Sequence, residues 1–201
     1  MSHLLTEPLV RGMPMPGKVI LLNGASSAGK STLAAALQHR LPLPFWHYSI
    51  DHLRVAGVLP WARIDSGEFA WSLLRGAFFE GFHRSVAGFA EAGNNLLVEH
   101  IIETEEWMLR LVRLLAGFDV FFVGIHCPLE ELERRERQRG DRRLGVARTD
   151  FEVVHTFGSY DFEVSSTENA DVVASRVAAE WQARASPSAF TKMLRGGRSE
   201  S

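Results

Sequence analysis

VILLNGASSAGKSTLAAAL, residues 19–37, joins three kinds of sequence in one short span. Its first part, inside KVILLN at Lys18–Asn23, is an unbroken aliphatic run of strand length. Such a run without polar alternation is the pattern of a strand covered on both faces of a parallel sheet. Its last part carries Leu33 and Leu37, continued by Leu41, and these four-residue steps place them on one helix face. Between the two, Gly24-Ala25-Ser26-Ser27-Ala28-Gly29 leads directly into Lys30, Ser31 and Thr32. A tight strand-to-helix turn accounts for the small residues. It does not account for a lysine at the first helical position, where a positive charge opposes the helix dipole.

Strand, G-x-x-x-x-G-K-S and helix together form the phosphate-binding P-loop pattern. Small residues let successive backbone N–H groups curl around a phosphate without obstruction. The helix N-terminus adds about half a positive charge. Lys30 is suited to the β- and γ-phosphates, and the Ser31 hydroxyl to ligating Mg²⁺. The expected ligand is ATP or a similar nucleoside triphosphate, held by Gly24, Ala25, Ser26, Ser27, Ala28, Gly29, Lys30, Ser31 and Thr32. The dinucleotide-binding pattern G-x-G-x-x-G is absent from this loop.

The 201 residues are 46% hydrophobic and 23% charged, enough for one globular domain with a full core. That domain is expected over residues 17–184, with a loose arm at 1–16 and a loose tail at 185–201. A net charge of −2 offers no field for polyanions, which disfavours nucleic-acid partners and a polynucleotide kinase. Cys127 stands alone, so no internal disulfide forms, and no Cys/His spacing suggests zinc. The expectation is a reduced, cytoplasmic setting. No apolar run reaches the roughly 18 residues of a membrane span, and residues 1–16 lack a basic start and a cleavage-like signal. The sequence carries no sign of an oligomeric state.

Along the chain, strand and helix patterns alternate. Strands are expected at 18–23, 46–50, 95–101, 119–125 and 161–164. Helices are expected at 31–41, 68–92, 104–116, from Pro128 into ERRERQRGDRR, around 150–157, and at about 168–181. This alternation predicts an α/β, five-stranded parallel sheet with helices on both faces, the P-loop NTPase arrangement.

Ligands of such sheets gather at the carboxyl ends of the strands. Asp51 closes the second strand pattern in HYSIDHLR, where a carboxylate can orient a hydroxyl or accept its proton during phosphoryl transfer. An N-cap for a helix starting at His52 explains the same residue equally well.

Four stretches, ILLNGASSAGKS, SIDHLR, RERQRGDR and VVHTFGSYDFEV, make the chain resemble the chloramphenicol phosphotransferase family over roughly residues 18–181. The resemblance implies transfer of the ATP γ-phosphate to a hydroxyl of a small molecule, with Asp51 matching the family's catalytic Asp. Residues 133–148, ERRERQRGDRRLGVAR, read as an Arg-rich lid with a hinge at Gly140. Arg135, Arg139 and Arg142 fall on arginines of the family. Arg139 and Arg135 are expected at the transferring phosphoryl group and Arg142 at the nucleotide. Asp141 is expected to hold the lid's own arginines, and Arg134, Arg137 and Arg143 suit a solvated face.

At the end of the third strand the family tends to show two acids, whereas this chain has Glu99 and His100. Glu99 is expected to share the metal with Ser31, or else to bind the acceptor, and His100 to be a core or rim histidine. His155 and Tyr160 match family positions and take a packing or supporting role. The acceptor, a small hydroxylated molecule, is expected against residues 54–85, with Trp61, Phe69, Phe79 and His83 lining an apolar pocket. Phe78, Phe82 and Phe89 read as a core stripe. The alternatives are another P-loop small-molecule kinase, of shikimate, gluconate or nucleotide type, and a non-catalytic nucleotide switch.

Overall fold

A computed structural model of the chain describes residues 15–140, 144–184 and 186–196. KVILLN forms β1 (Lys18–Asn23), whose residues Val19 to Leu22 are all fully buried. It lies at the centre of a five-stranded parallel sheet of order β2-β3-β1-β4-β5. The other strands are β2 (Trp46–Ser49), β3 (Leu96–His100), β4 (Asp119–His126) and β5 (Phe162–Ser165). The three inner strands are the three with unbroken apolar runs, as burial on both faces demands.

Helices cover both faces. On one, α1 (Lys30–Gln38) and α8 (Ala170–Ala183) bring Leu33, Leu37, Val173, Val177 and Trp181 against Ile20, Leu22, Leu97 and Val123. On the other, α4 (Trp71–Glu91) and α5 (Glu105–Leu114) bring Phe82, Val86, Leu111 and Val112 against Val19, Leu21, Val98 and Phe122. Each such side chain taken from water contributes about 1.5–3 kcal/mol. α6 (Leu129–Arg139) and α7 (Val146–Val153) pack together beside the P-loop. No described helix is long and apolar enough to cross a membrane.

The structure departs from the sequence reading in several places. β2 stops at Ser49, because α2 (Ile50–Val55) begins at once and Ser49 is its N-cap, Oγ accepting from the His52 N–H at 3.1 Å. Asp51 is therefore in the first turn and is not the cap. A short α3 (Trp61–Asp65) precedes α4, which starts at Trp71 and not at 68, since Glu68 is drawn back to Arg63. α7 begins four residues earlier than expected: Glu136 accepts from the Gly145 and Ala147 N–H groups, at 2.8 and 2.9 Å, and so caps its start.

The expectation of a loose tail is corrected over Ala189–Gly196, which form α9. Phe190 is buried edge-on against Phe122, and the Ala189 N–H donates to Asp161 at 2.6 Å. The expected core stripe also divides. Phe82 is core, Phe78 lines a cleft, and Phe89 is 36% exposed beside Trp46 on the edge strand β2. An edge strand covers only one flank of the helix above it, so the stripe runs off the core.

Candidate active site

The carboxyl ends of β1, β2 and β3 open into one cleft of about 1360 Å³. Its first half is the glycine-framed loop. Ser27 (φ 65°) and Gly29 (φ 86°) take the left-handed conformation, which turns the backbone into α1 with Gly29 as N-cap. Gly24 is required by proximity, since a Cβ there would stand 2.8 Å from the Ile125 carbonyl. Lys30 is 9% exposed and folds over the loop, its Nζ donating to the Gly24 and Ala25 carbonyls at 2.7 Å each. The Ser26 N–H donates to the buried Asp150 carboxylate at 2.9 Å, which ties the loop to α7. Arg135 reaches from α6 to the Ser166 carbonyl (2.9 Å) and hydroxyl (3.2 Å), and at 3.4 Å to the Ser27 carbonyl. Arg139 lines the same cleft. Arg142, Asp141 and Arg143 lie outside the described residues.

Where α1 meets β3, Ser31 Oγ donates to Glu99 Oε2 at 2.9 Å. The other Glu99 oxygen is bonded by His47 Nε2 from β2. Burial pushes the Glu99 carboxyl up, but the bond from His47, the charge of Lys30 and the bond from Ser31 outweigh it. Glu99 stays below the usual carboxylate range and is ionised. Its pairing with Ser31 joins two hard oxygen donors, a chemistry that fits Mg²⁺. Among the described residues no group of three or more His, Cys, Asp or Glu is arranged to hold a metal by itself.

Across the cleft, α2 presents Asp51 and Arg54, α3 presents Trp61 and Ile64, and α4 presents Trp71, Arg75, Phe78 and Phe79. The rings form a continuous wall: Trp61–Trp71 at 5.2 Å, Trp71–Phe78 at 5.8 Å, Phe78–Phe79 at 5.9 Å. Phe79 stacks on Trp107 at 4.3 Å, and Arg75 lies over both rings while pairing with Glu103 at 2.6 Å. Arg54 sits 4.8 Å above Trp61. Among the described residues the buried Trp61 Nε1–H has no hydrogen-bond partner.

Of the four residues expected to line an acceptor pocket, Trp61 and Phe79 line the cleft. Phe69 is outside the cleft, held under Arg63 at 4.2 Å. His83 is buried behind the wall, its Nε2 2.7 Å from His100 Nε2. His100 Nδ1 accepts from the Ile101 N–H at 2.8 Å, so its Nε2 carries the proton and donates to His83. Burial pushes His83 down to about 4 and His100 well below its ordinary value, leaving both rings neutral.

His155 and Tyr160 belong to a partly buried knot beneath the loop. Asn23, the last residue of β1, donates to the Val154 carbonyl (2.7 Å) and the Tyr160 hydroxyl (2.8 Å), and accepts from the Ile102 N–H (2.9 Å). His155 Nδ1 is 2.6 Å from the same hydroxyl. Burial lowers His155 to about 4 and raises Tyr160 to about 12. The Tyr160 ring needs Gly124 on β4, where a Cβ would approach it to 2.6 Å.

His47 and Asp150 are missing from the expected set. In W-H-Y-S, two-residue alternation places His47 on the face of Ser49, the register partner of Glu99. That was the only local signal for His47, and Asp150 had none.

A family model described as chloramphenicol phosphotransferase-like protein matches residues 17–182. Two Mycobacterium tuberculosis proteins, of strains CDC 1551 and H37Rv, each bear the name "Putative O-phosphotransferase". Both are 33% identical to this chain, over 90% of it and 89% of their own length. An APS kinase from Mycobacterium tuberculosis, solved in complex with AMPPNP and APS, matches with a TM-score of 0.59 and 20% identity. The match covers 85% of this chain and 99% of that one. A gluconokinase from Sinorhizobium meliloti 1021 matches with a TM-score of 0.57 and 16% identity, over 85% and 94% of the two chains. At these identities the two structures share the fold with this chain.

Proposed function

The chain belongs to the chloramphenicol phosphotransferase-like family, and from that premise we propose that it is an ATP-dependent O-phosphotransferase acting on a hydroxyl of a small molecule. One observation carries the reading: Lys30, Ser31 and Asp51 line a single cleft whose far half is walled by aromatic rings. A protein that only binds and releases a nucleotide has no use for that second half.

In the proposed reaction the amides of residues 24–32 and Lys30 hold the phosphates. Ser31 and Glu99 would hold Mg²⁺, which would supply neutralisation of the phosphate charge. Asp51 orients the acceptor hydroxyl toward the γ-phosphorus and takes its proton as the new O–P bond forms. The bond from the γ-phosphorus to the bridging oxygen breaks, and ADP leaves with that electron pair. Arg139 and Arg135 face the transferring group, and Arg142 is carried by the family resemblance as a nucleotide contact. The rings of Trp61, Trp71, Phe78 and Phe79 suit an acceptor with a flat or ring-shaped body, of which a chloramphenicol-like antibiotic is one and many metabolites are others.

The test is a screen of hydroxylated metabolites and antibiotics for ATP consumption, with product detected as a phosphate mass shift. With an acceptor in hand, Asp51→Ala should lower transfer by about 10²–10⁴-fold and leave ATP binding intact. Transfer by Asp51→Ala at the parent rate would reject the role of Asp51, and failure of all alcohols while ATP binds would favour a nucleotide switch.

A further inference from the structure

The mechanism above leaves His47 without a task, although its ring is bonded to the acid expected to serve the metal. His47 sits on β2 in register with Leu97, and Glu99 follows two residues later on the same face of β3. The ring is held from the other side by His52, edge-on at 4.4 Å. Glu99 is 7% exposed and each of its oxygens has one named partner, His47 on Oε1 and Ser31 on Oε2. A carboxylate accepts only, so His47 Nε2 is the donor in this pair. A carboxylate on two free side-chain torsions has many orientations, and a donor mounted on a neighbouring strand removes most of them.

We propose that His47 is a positioning residue for the metal, which locks the Glu99 carboxylate so that Oε2 stays against Ser31 Oγ where Mg²⁺ and its water shell are received. The inference rests on the nucleotide-binding part of the proposed function and not on the transfer of phosphate to an alcohol. Partners of this kind, one bond removed from the metal, typically change metal affinity by about 10–100-fold when removed. The mechanism is geometric: without the His47 donor, Oε1 is a buried charge lacking a partner, and the carboxylate turns toward Lys30 or Ser31 to replace it.

The experiment is a Mg²⁺ titration of the full chain carrying a fluorescent, non-hydrolysable ATP analogue, beside the affinity for that analogue in EDTA. His47→Ala should raise the Mg²⁺ half-saturation by about 10–100-fold, with the EDTA affinity unchanged. His47→Gln, whose amide N–H reaches the same oxygen, should restore most of the parent value. In a Glu99→Gln background, His47→Ala should add no more than about a twofold further change, because both act through one pair. A parent-like Mg²⁺ titration in His47→Ala overturns the proposal, as does an equal loss of affinity in EDTA, which would mean that His47 only supports the fold. So does His47→Gln behaving like His47→Ala. Should His47→Ala fail to fold, His47→Phe, which keeps a ring there without a donor, takes its place under the same criteria. A parent that binds Mg²⁺ and nucleotide normally but phosphorylates no alcohol refutes the proposed function and leaves this inference standing.

Discussion

Replacing Asn23 tests whether the knot beneath the P-loop stabilises the fold. Asn23 is 1% exposed and makes three hydrogen bonds, to Val154, Tyr160 and Ile102. In Asn23→Ala two of those partners keep company: the Tyr160 hydroxyl stays 3.3 Å from the Val154 carbonyl and 2.6 Å from His155 Nδ1. The Ile102 N–H does not, since β3 ends at His100 and the sheet offers no acceptor there. One buried orphan donor, together with the small void left by the amide, costs about 2–4 kcal/mol. For a domain of this size each kcal/mol lowers Tm by about 2–4 °C, so the melting point should fall by about 4–16 °C. Differential scanning calorimetry reads this directly. The carboxamide touches none of the loop's N–H groups, so at temperatures where the variant is folded its ATP affinity should match the parent. An Asn23→Ala protein that melts with the parent would refute the reasoning, because it would mean that the knot contributes nothing to stability.

On the proposed function, Lys30→Met removes a charge-assisted contact to the outer phosphates worth about 1.5–3 kcal/mol, so ATP affinity should drop by about 10–150-fold with a smaller loss for AMP. Calorimetric titration checks it, and equal losses for both nucleotides would argue against Lys30 serving the outer phosphates. Stability should also fall with pH below about 6.5. His83 and His155 titrate near 4 in the fold but near 6.5 when exposed, so the unfolded chain takes up protons first. The stability of the neutral rings is complete above pH 6.5 and is lost as pH falls toward 4, by up to about 1.4 kcal/mol per pH unit for each ring and less for half-buried His155. Urea midpoints at pH 7.5 and pH 5 measure it, and equal midpoints would contradict the burial of these imidazoles.

The glycine-framed half of the cleft was legible because its signal is local. From Val19 to Leu37 an apolar run, a loop of small residues and a helical stripe follow one another without a gap, and each has its own period or conformational demand. Strand and helix alternation was legible for the same reason, and with it the parallel sheet. The aromatic half was read less well. Trp61 and Phe79 were expected in the pocket and line it, but Phe69 and His83 share the same composition and lie elsewhere. Three phenylalanines on one helix stripe went to core, cleft and sheet edge, because the stripe is longer than the sheet beneath it.

Sequence alone determined that residues 24–29 form a glycine-framed turn between a buried strand and a helix and that five strands lie parallel, since neighbours within a few turns of chain suffice for both. Only the folded chain decided who stands behind that loop. Asp150 reaches Ser26 across 124 positions, Asn23 reaches Val154 across 131, and His47 reaches Glu99 across 52. Hydrogen bonds act over about 3 Å, and no periodicity along a sequence reports which distant side chains the strand order β2-β3-β1-β4-β5 will bring that close.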